Sequence, residues 1–191
     1  MDRNDMIDKL KGKLTEKRLI HSFGVEYTAA CLAMRYKADI QKARIAGLLH
    51  DNAKCLPTED KLKKCEKFKL PINDFERANP DLLHGKLGAY YAREKYGVSD
   101  EEILDAITYH TTGRPAMTLM DKIIFVADYI EPNRKVIFEL PQIRKEAFVD
   151  IDATVLHILK NTLEYLDGKT DIIDGMTEET YKYYLKLRNK Q

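Results

Sequence analysis

The stretch AGLLHDNAK, from Ala46 to Lys54, carries a histidine and an aspartate straight out of a run of small and aliphatic residues. Its first half reads as the buried face of a helix. An imidazole and a carboxylate at the end of such a face cost free energy unless each finds a partner. The rest of the chain has to supply those partners.

Outward from this stretch, helical spacing dominates and strand alternation is almost absent. A short amphipathic helix is expected around Met6 to Leu14, a second after Thr15 through HSFGVEYTAACLAMRY, and a third capped by Asp39. Thr58, after Pro57, opens a lysine-rich helix. Asn79-Pro80 reads as cap and first-turn proline for DLLHGKLGAYYAREKY, with Gly97 as its stop. Ser99 and Glu102 have capping-box spacing ahead of EEILDAITYH, and Thr118 can cap TLMDKIIFVADYI, which Pro132 ends. Two further helices are expected at about Asp150 to Leu166 and about Glu178 to Arg188. The fold expected is all-α, a single bundle of about eight to ten helices over residues 1–191.

Composition narrows the function classes. Thirty-two basic residues against 31 acidic ones leave a formal net charge of +1, which argues against a global field for nucleic acid or an anionic membrane. The run KLKKCEKFK, Lys61 to Lys69, has no aromatic platform interleaved with its charges and reads as a solvated helix face. Three cysteines without CxxC spacing suit reduced thiols. The charged N-terminus lacks the apolar core of a secretory signal, and no apolar run reaches membrane-spanning length. A cytoplasmic protein is expected.

The polar residues that interrupt apolar helical stretches form a set. His21 lies in LIHSFGV, His50 and Asp51 in GLLHD, His84 in DLLHG, His110 in AITYH and Asp128 in FVADYI. Ile103, Ala106, Ile107 and His110 fall at i, i+3, i+4 and i+7, so His110 ends a buried stripe. Gly24, one turn after His21, leaves room for a close neighbour or a ligand. One such histidine is ordinarily a hydrogen-bonded core residue. Six such groups in one small helical domain are satisfied together by a metal centre of imidazole and carboxylate donors, which suit a first-row divalent ion. His157 lies off the Leu156, Leu159, Leu163, Leu166 face and reads as a surface residue.

In order, His21, His50-Asp51, His84, His110 and Asp128 resemble the H…HD…H…H…D signature of the HD-domain metal-dependent phosphohydrolases. More narrowly, RLIHSFGVEYTA, LLHDNAK, LLHGKLGA and ITYHTTGRPAMTLMDKIIFVADYIEPNR are similar to the bacterial YqeK family, with HTTGRP and ADYIEPNR carrying most of the likeness. The resemblance covers about residues 17–134 and leaves about 141–190 as packing helices of one HD-type domain. It implies a symmetrical bis(5'-nucleosyl)-tetraphosphatase that splits diadenosine tetraphosphate into two ADP, and it implies iron as the metal.

The chemistry follows from the donor set. His21, His50, Asp51 and Asp128 suffice for one ion; His84 and His110 add enough imidazole for a second, with Asp51 as the bridging carboxylate. Manganese or another divalent ion would also suit these ligands. Water activated by the metal would attack an inner phosphorus. Lys54, three residues after Asp51, is the cation placed to share the catalytic role. Arg18, Lys86, Thr111, Thr112, Gly113, Arg114 and Arg134 are the candidate substrate contacts, while Glu131 and Asn133 either orient a ligand or cap the turn before Arg134. The substrate expected is a dinucleoside polyphosphate and the product a nucleoside diphosphate. A homodimer is compatible with the sequence. Two other readings stay open: a different HD nucleotidase or phosphodiesterase, and a non-catalytic sensor that binds nucleoside diphosphates.

Overall fold

The computed structural model describes residues 1–135, 138–167 and 175–189. Among them are eleven α-helices and no strand: α1 Arg3–Lys11, α2 Glu16–Tyr36, α3 Ile40–Leu49, α4 Thr58–Lys67, α5 Asp74–Ala78, α6 His84–Tyr96, α7 Glu101–Tyr109, α8 Leu119–Ile130, α9 Leu140–Glu146, α10 Ile151–Asp167 and α11 Gly175–Arg188. A 3-10 turn, Pro80–Leu83, leads into α6. The all-α expectation holds, and the count passes its upper end because α5 and α9 are too short to show apolar periodicity.

Side-chain caps set most of the helix starts. Thr15 accepts from the Arg18 amide, Asp39 from those of Gln41 and Lys42, and Thr118 forms a reciprocal box with Asp121. Two sequence expectations are corrected. The cap of α7 is Asp100, which accepts from the Glu102 amide, and not Ser99. Asn79-Pro80 opens only the 3-10 turn; α6 itself begins at His84. Helix α1 also runs earlier than expected and stops at Gly12.

Helices α2, α3, α7 and α8 pack around one core, joined by α6 on one side and α10 on another. Two glycines permit the contacts that matter for function. A Cβ on Gly47 of α3 would lie 2.9 Å from the Glu26 Cα, so α2 and α3 touch backbone to backbone. A Cβ on Gly85 of α6 would lie 2.5 Å from the Thr108 carbonyl of α7. These two approaches bring His21 toward His50 and His84 toward His110.

A smaller core lies beneath α4. Ala53, Cys65, Leu83, Leu87 and Tyr91 are buried there, with Leu62, Phe68 and Tyr90 packed against them. The lysine-rich helix is therefore not a solvated face throughout. Lys61 is only 2% exposed, and its ammonium bonds Asp81 Oδ1 at 2.7 Å. No helix among the described residues is long and apolar enough to cross a membrane.

Candidate metal centre

Five helix ends or faces deliver the polar set to one place. His21 comes from α2, His50 and Asp51 from the turn that ends α3, His84 from the start of α6, His110 from the end of α7, and Asp128 from the last turns of α8. The four histidines and Asp51 are buried; the Asp128 side chain keeps 17% of its surface exposed.

The imidazoles are oriented by their outer nitrogens. Nδ1–H of His50 donates to the Gly47 carbonyl at 2.7 Å, and that of His110 to the Ile107 carbonyl at 2.7 Å. His84 does the same to the Asp81 carbonyl. In each case the acceptor lies three residues back. His21 differs, because its Nδ1–H donates at 3.0 Å to Oε1 of the buried Glu131. Glu131 Oε2 accepts from the backbone N–H of Asn133 at 2.7 Å and from its side-chain amide at 3.1 Å. Gly24 is the reason it fits, since a Cβ there would collide with the Glu131 carboxylate.

A carbonyl or carboxylate only accepts, so each Nδ1 carries a proton, and in the neutral ring Nε2 presents a bare lone pair. All four lone pairs converge. Nε2 of His21 and His50 lie 3.3 Å apart, and those of His84 and His110 lie 3.1 Å apart. With no proton between them these contacts repel, unless a cation sits among them. Donors about 2.1 Å from one ion lie about 3.0–3.4 Å apart on an octahedron or tetrahedron, so the spacing suits shared metal ligands.

Asp51 divides the set in two. Its Oδ2 lies 3.4 Å from His50 Nε2 and 3.7 Å from His21 Nε2, while Oδ1 lies 3.4 Å from His84 Nε2 and 3.7 Å from His110 Nε2. Asp128 Oδ1 joins the first group, 3.0 Å from His21 Nε2. A carboxylate with one oxygen facing each pair has the form of a bridge between two ions.

The electrostatics agree. Burial pushes the Asp51 carboxyl up, but the imidazoles of His50, His110 and His84 outweigh it and hold the group well below the usual carboxylate range. Asp128 is held low against burial by His21 and Arg134. Burial, reinforced by His110 and Lys54, pulls His84 down to about 3, so its ring stays neutral at cellular pH. Burial also lowers His21, yet Asp128 and Glu131 override it. The negative charge that would keep a proton there would equally keep a metal cation.

The candidate substrate contacts separate into two groups. Arg18 reaches Asp51 Oδ2 at 2.6 Å, and Arg134 holds both Asp128 oxygens at 3.0 and 3.1 Å. Lys54 Nζ lies 3.5 Å from His84 Nδ1, and burial lowers its pKa. Thr111 Oγ1 lies 3.3 and 3.1 Å from the Nε2 atoms of His84 and His110. Thr112 lines the adjoining cavity. The other three are engaged elsewhere. Lys86 bonds Glu76 at 2.6 Å and the Pro71 carbonyl. Arg114 pairs with Asp105 and with the buried Asp121. Gly113, with φ of 65°, turns the chain against Thr180 and Met117. His157 is half-buried and bonds both Glu146 and Glu139.

Two cavities open on the centre and share Tyr129 and Arg134. One, of about 610 Å³, is lined by Lys17, Arg18, His21, Glu131 and Lys135 among others. The second, of about 520 Å³, has a largely apolar wall of Phe75, Leu82, Phe125, Tyr129 and Ile158, with His110 and Asp128 on its floor. Both are in the size range of small-molecule sites. Sequence reasoning raised Glu131 only as a turn residue or an orienter; an acidic residue closing an apolar helix, followed by proline, was its signal. It gave none for Lys61 or for the apolar cavity.

The HD domain model matches residues 18–133, which span the whole cluster. The chain belongs to the HD-domain family. Within that family it is similar over nearly its full length to proteins named symmetrical bis(5'-nucleosyl)-tetraphosphatase. The Bacillus subtilis protein is 43% identical over 96% of this chain and 97% of its own length. The Halalkalibacterium halodurans protein is 41% identical over 97% of this chain and 98% of its own. A crystal structure from Clostridium acetobutylicum, described as a predicted HD superfamily hydrolase involved in NAD metabolism, superposes with a TM-score of 0.95 at 40% identity, covering 98% of both chains. This HD-domain chain thus joins a YqeK-like group, and its buried histidine–aspartate cluster fits a divalent metal.

Proposed function

We propose that this HD-domain protein is a metal-dependent hydrolase that cleaves diadenosine tetraphosphate symmetrically into two ADP. The observation that carries the reading is the cluster of four Nδ1-anchored histidines around Asp51, with Asp128 beside it, which meets a nucleotide-sized cavity through His110 and Asp128. The names of the full-length relatives support the substrate. All 191 residues form one HD-type domain in this reading, with the metal-site core at about 17–134 and packing helices at about 141–190. The enzyme works in the cytoplasm, and a homodimer is compatible with this reading.

His21, His50, Asp51 and Asp128 would hold one ion and Asp51, His84 and His110 a second, with iron as the metal and manganese able to replace it. A divalent ion there supplies a nucleophilic water near neutral pH and counter-charge for phosphate oxygens. The chain's own groups do the rest. The apolar wall with Phe125 and Tyr129 receives one nucleoside, and the cationic cavity of Arg18, Lys17 and Lys135 takes the other half. Arg18, Arg134 and Lys54 neutralise charge on the polyphosphate, while Thr111 and Thr112 offer hydroxyls at its edge. Hydrolysis at the centre of the tetraphosphate breaks one P–O bond and leaves two nucleoside diphosphates.

Product analysis tests this. The purified protein is loaded anaerobically with iron(II), or with manganese in parallel, and given diadenosine tetraphosphate. ADP alone is the expected product. AMP with ATP would overturn symmetric cleavage, and no turnover with metal bound would overturn the hydrolase.

A further inference from the structure

Three of the four imidazoles are oriented by a carbonyl three residues back, but these carbonyls are not equally supported. Gly47 lies inside α3 and Ile107 inside α7, where the helices themselves fix the peptide planes. Asp81 lies in the four-residue turn Pro80–Leu83, outside any α-helix. A short 3-10 segment has poorer hydrogen-bond geometry than an α-helix and needs outside support.

Within the turn the Asp81 carbonyl also accepts the His84 backbone N–H, and the support from outside comes from α4. Lys61 is nearly fully buried, a costly place for an ammonium unless it is paired. Its partner is the Asp81 carboxylate, at 2.7 Å, and Thr58 Oγ1 donates to the same oxygen at 3.3 Å. The residue whose side chain Lys61 holds is the one whose carbonyl receives the His84 proton. The Asp81 side chain is itself 66% exposed, so its own burial does not fix it.

We propose that Lys61 is a positioning residue: the ion pair of its buried ammonium with Asp81 locks the turn whose carbonyl aims the His84 ring into the metal centre. The Lys61 ammonium bonds Asp81, which is not one of the six candidate metal ligands. The inference rests on the metal-centre reading of the cluster for its functional meaning, but its first readout needs neither metal nor substrate.

The experiment is imidazole ¹H–¹⁵N NMR on the metal-free full chain, comparing wild type with Lys61→Met, Lys61→Arg and Asp81→Asn. Methionine keeps the buried bulk, and the exposed Asp81 side chain can change without touching the core. The expected result is that Lys61→Met and Asp81→Asn lose the fixed Nδ1–H form of His84 and leave His50 and His110 unchanged. Lys61→Arg restores it at least in part. Manganese titration of the same proteins is then expected to show a tenfold or greater loss in affinity for one ion of the pair. An unaltered His84 signal in either Lys61→Met or Asp81→Asn overturns the proposal. So does a change that strikes all the histidines alike, because it marks general destabilisation. A wild type that binds no manganese, with the His84 signal responding as expected, would instead sink the metal reading and leave the positioning role standing.

Discussion

The two halves of the centre are built from the same residue types but anchored differently. On the His21 and His50 side, one ring leans on a buried glutamate and a second carboxylate, Asp128, stands 3.0 Å away. On the His84 and His110 side both rings lean on backbone carbonyls, and the nearest charged neighbour besides Asp51 is the Lys54 ammonium. A carboxylate behind an imidazole raises its basicity as a ligand, while a cation beside one lowers its draw on a metal. The halves should therefore load unequally, the His21 side first.

The largest effect should come from the residue common to both. Asp51→Ala is expected to lose bound metal from both halves and to cut turnover at least a thousandfold, read by metal analysis and product formation. Retention of full metal content would break the bridging role, and with it the division into halves.

Glu131→Gln sharpens the difference. It is expected to weaken one ion about 10–100-fold and leave the other in place, measured by competition with a chelator. Equal weakening of both ions would show that the halves are not independent.

The smallest effect lies outside both. His157 is lowered by burial but raised more strongly by Glu146 and Glu139, so its folded pKa stands above 6.5. Its contribution is thus complete below that value and fades as pH rises through the folded pKa. His157→Gln should lower Tm by about 1–3 °C at pH 6, in keeping with a partly exposed pair, and by less at pH 8.5. Metal content should not change. Loss of metal would tie the α10 surface to the centre.

The helices and the polar cluster were legible because their signals are local. His110 closes an i, i+3, i+4, i+7 stripe, and Thr15, Asp39 and Thr118 cap the starts of α2, α3 and α8. The fate of the cations was not legible, since it depends on partners carried by other elements that only the fold brings close. Lys86 is taken by Glu76 and Arg114 by Asp121, pairs that form only once α5 and α8 are in place. Lys61 looked like its solvated neighbours in the same run, and only the small core beneath α4 distinguishes it. Ser99 lost the α7 cap to the adjacent Asp100, a shift of one position that spacing alone does not resolve.

The bonds from His50 to Gly47 and from His110 to Ile107 run from a side chain to the main chain of the same helix end. No substitution of the acceptor residue's side chain can delete such an acceptor, because every amino acid brings the same carbonyl. Two of the four imidazole orientations are thereby shielded from mutational drift, and they would travel with a four-residue segment grafted to the end of another helix. The His21 ring has no such insurance, since its aim depends on Glu131, on Asn133, and on a glycine staying a glycine.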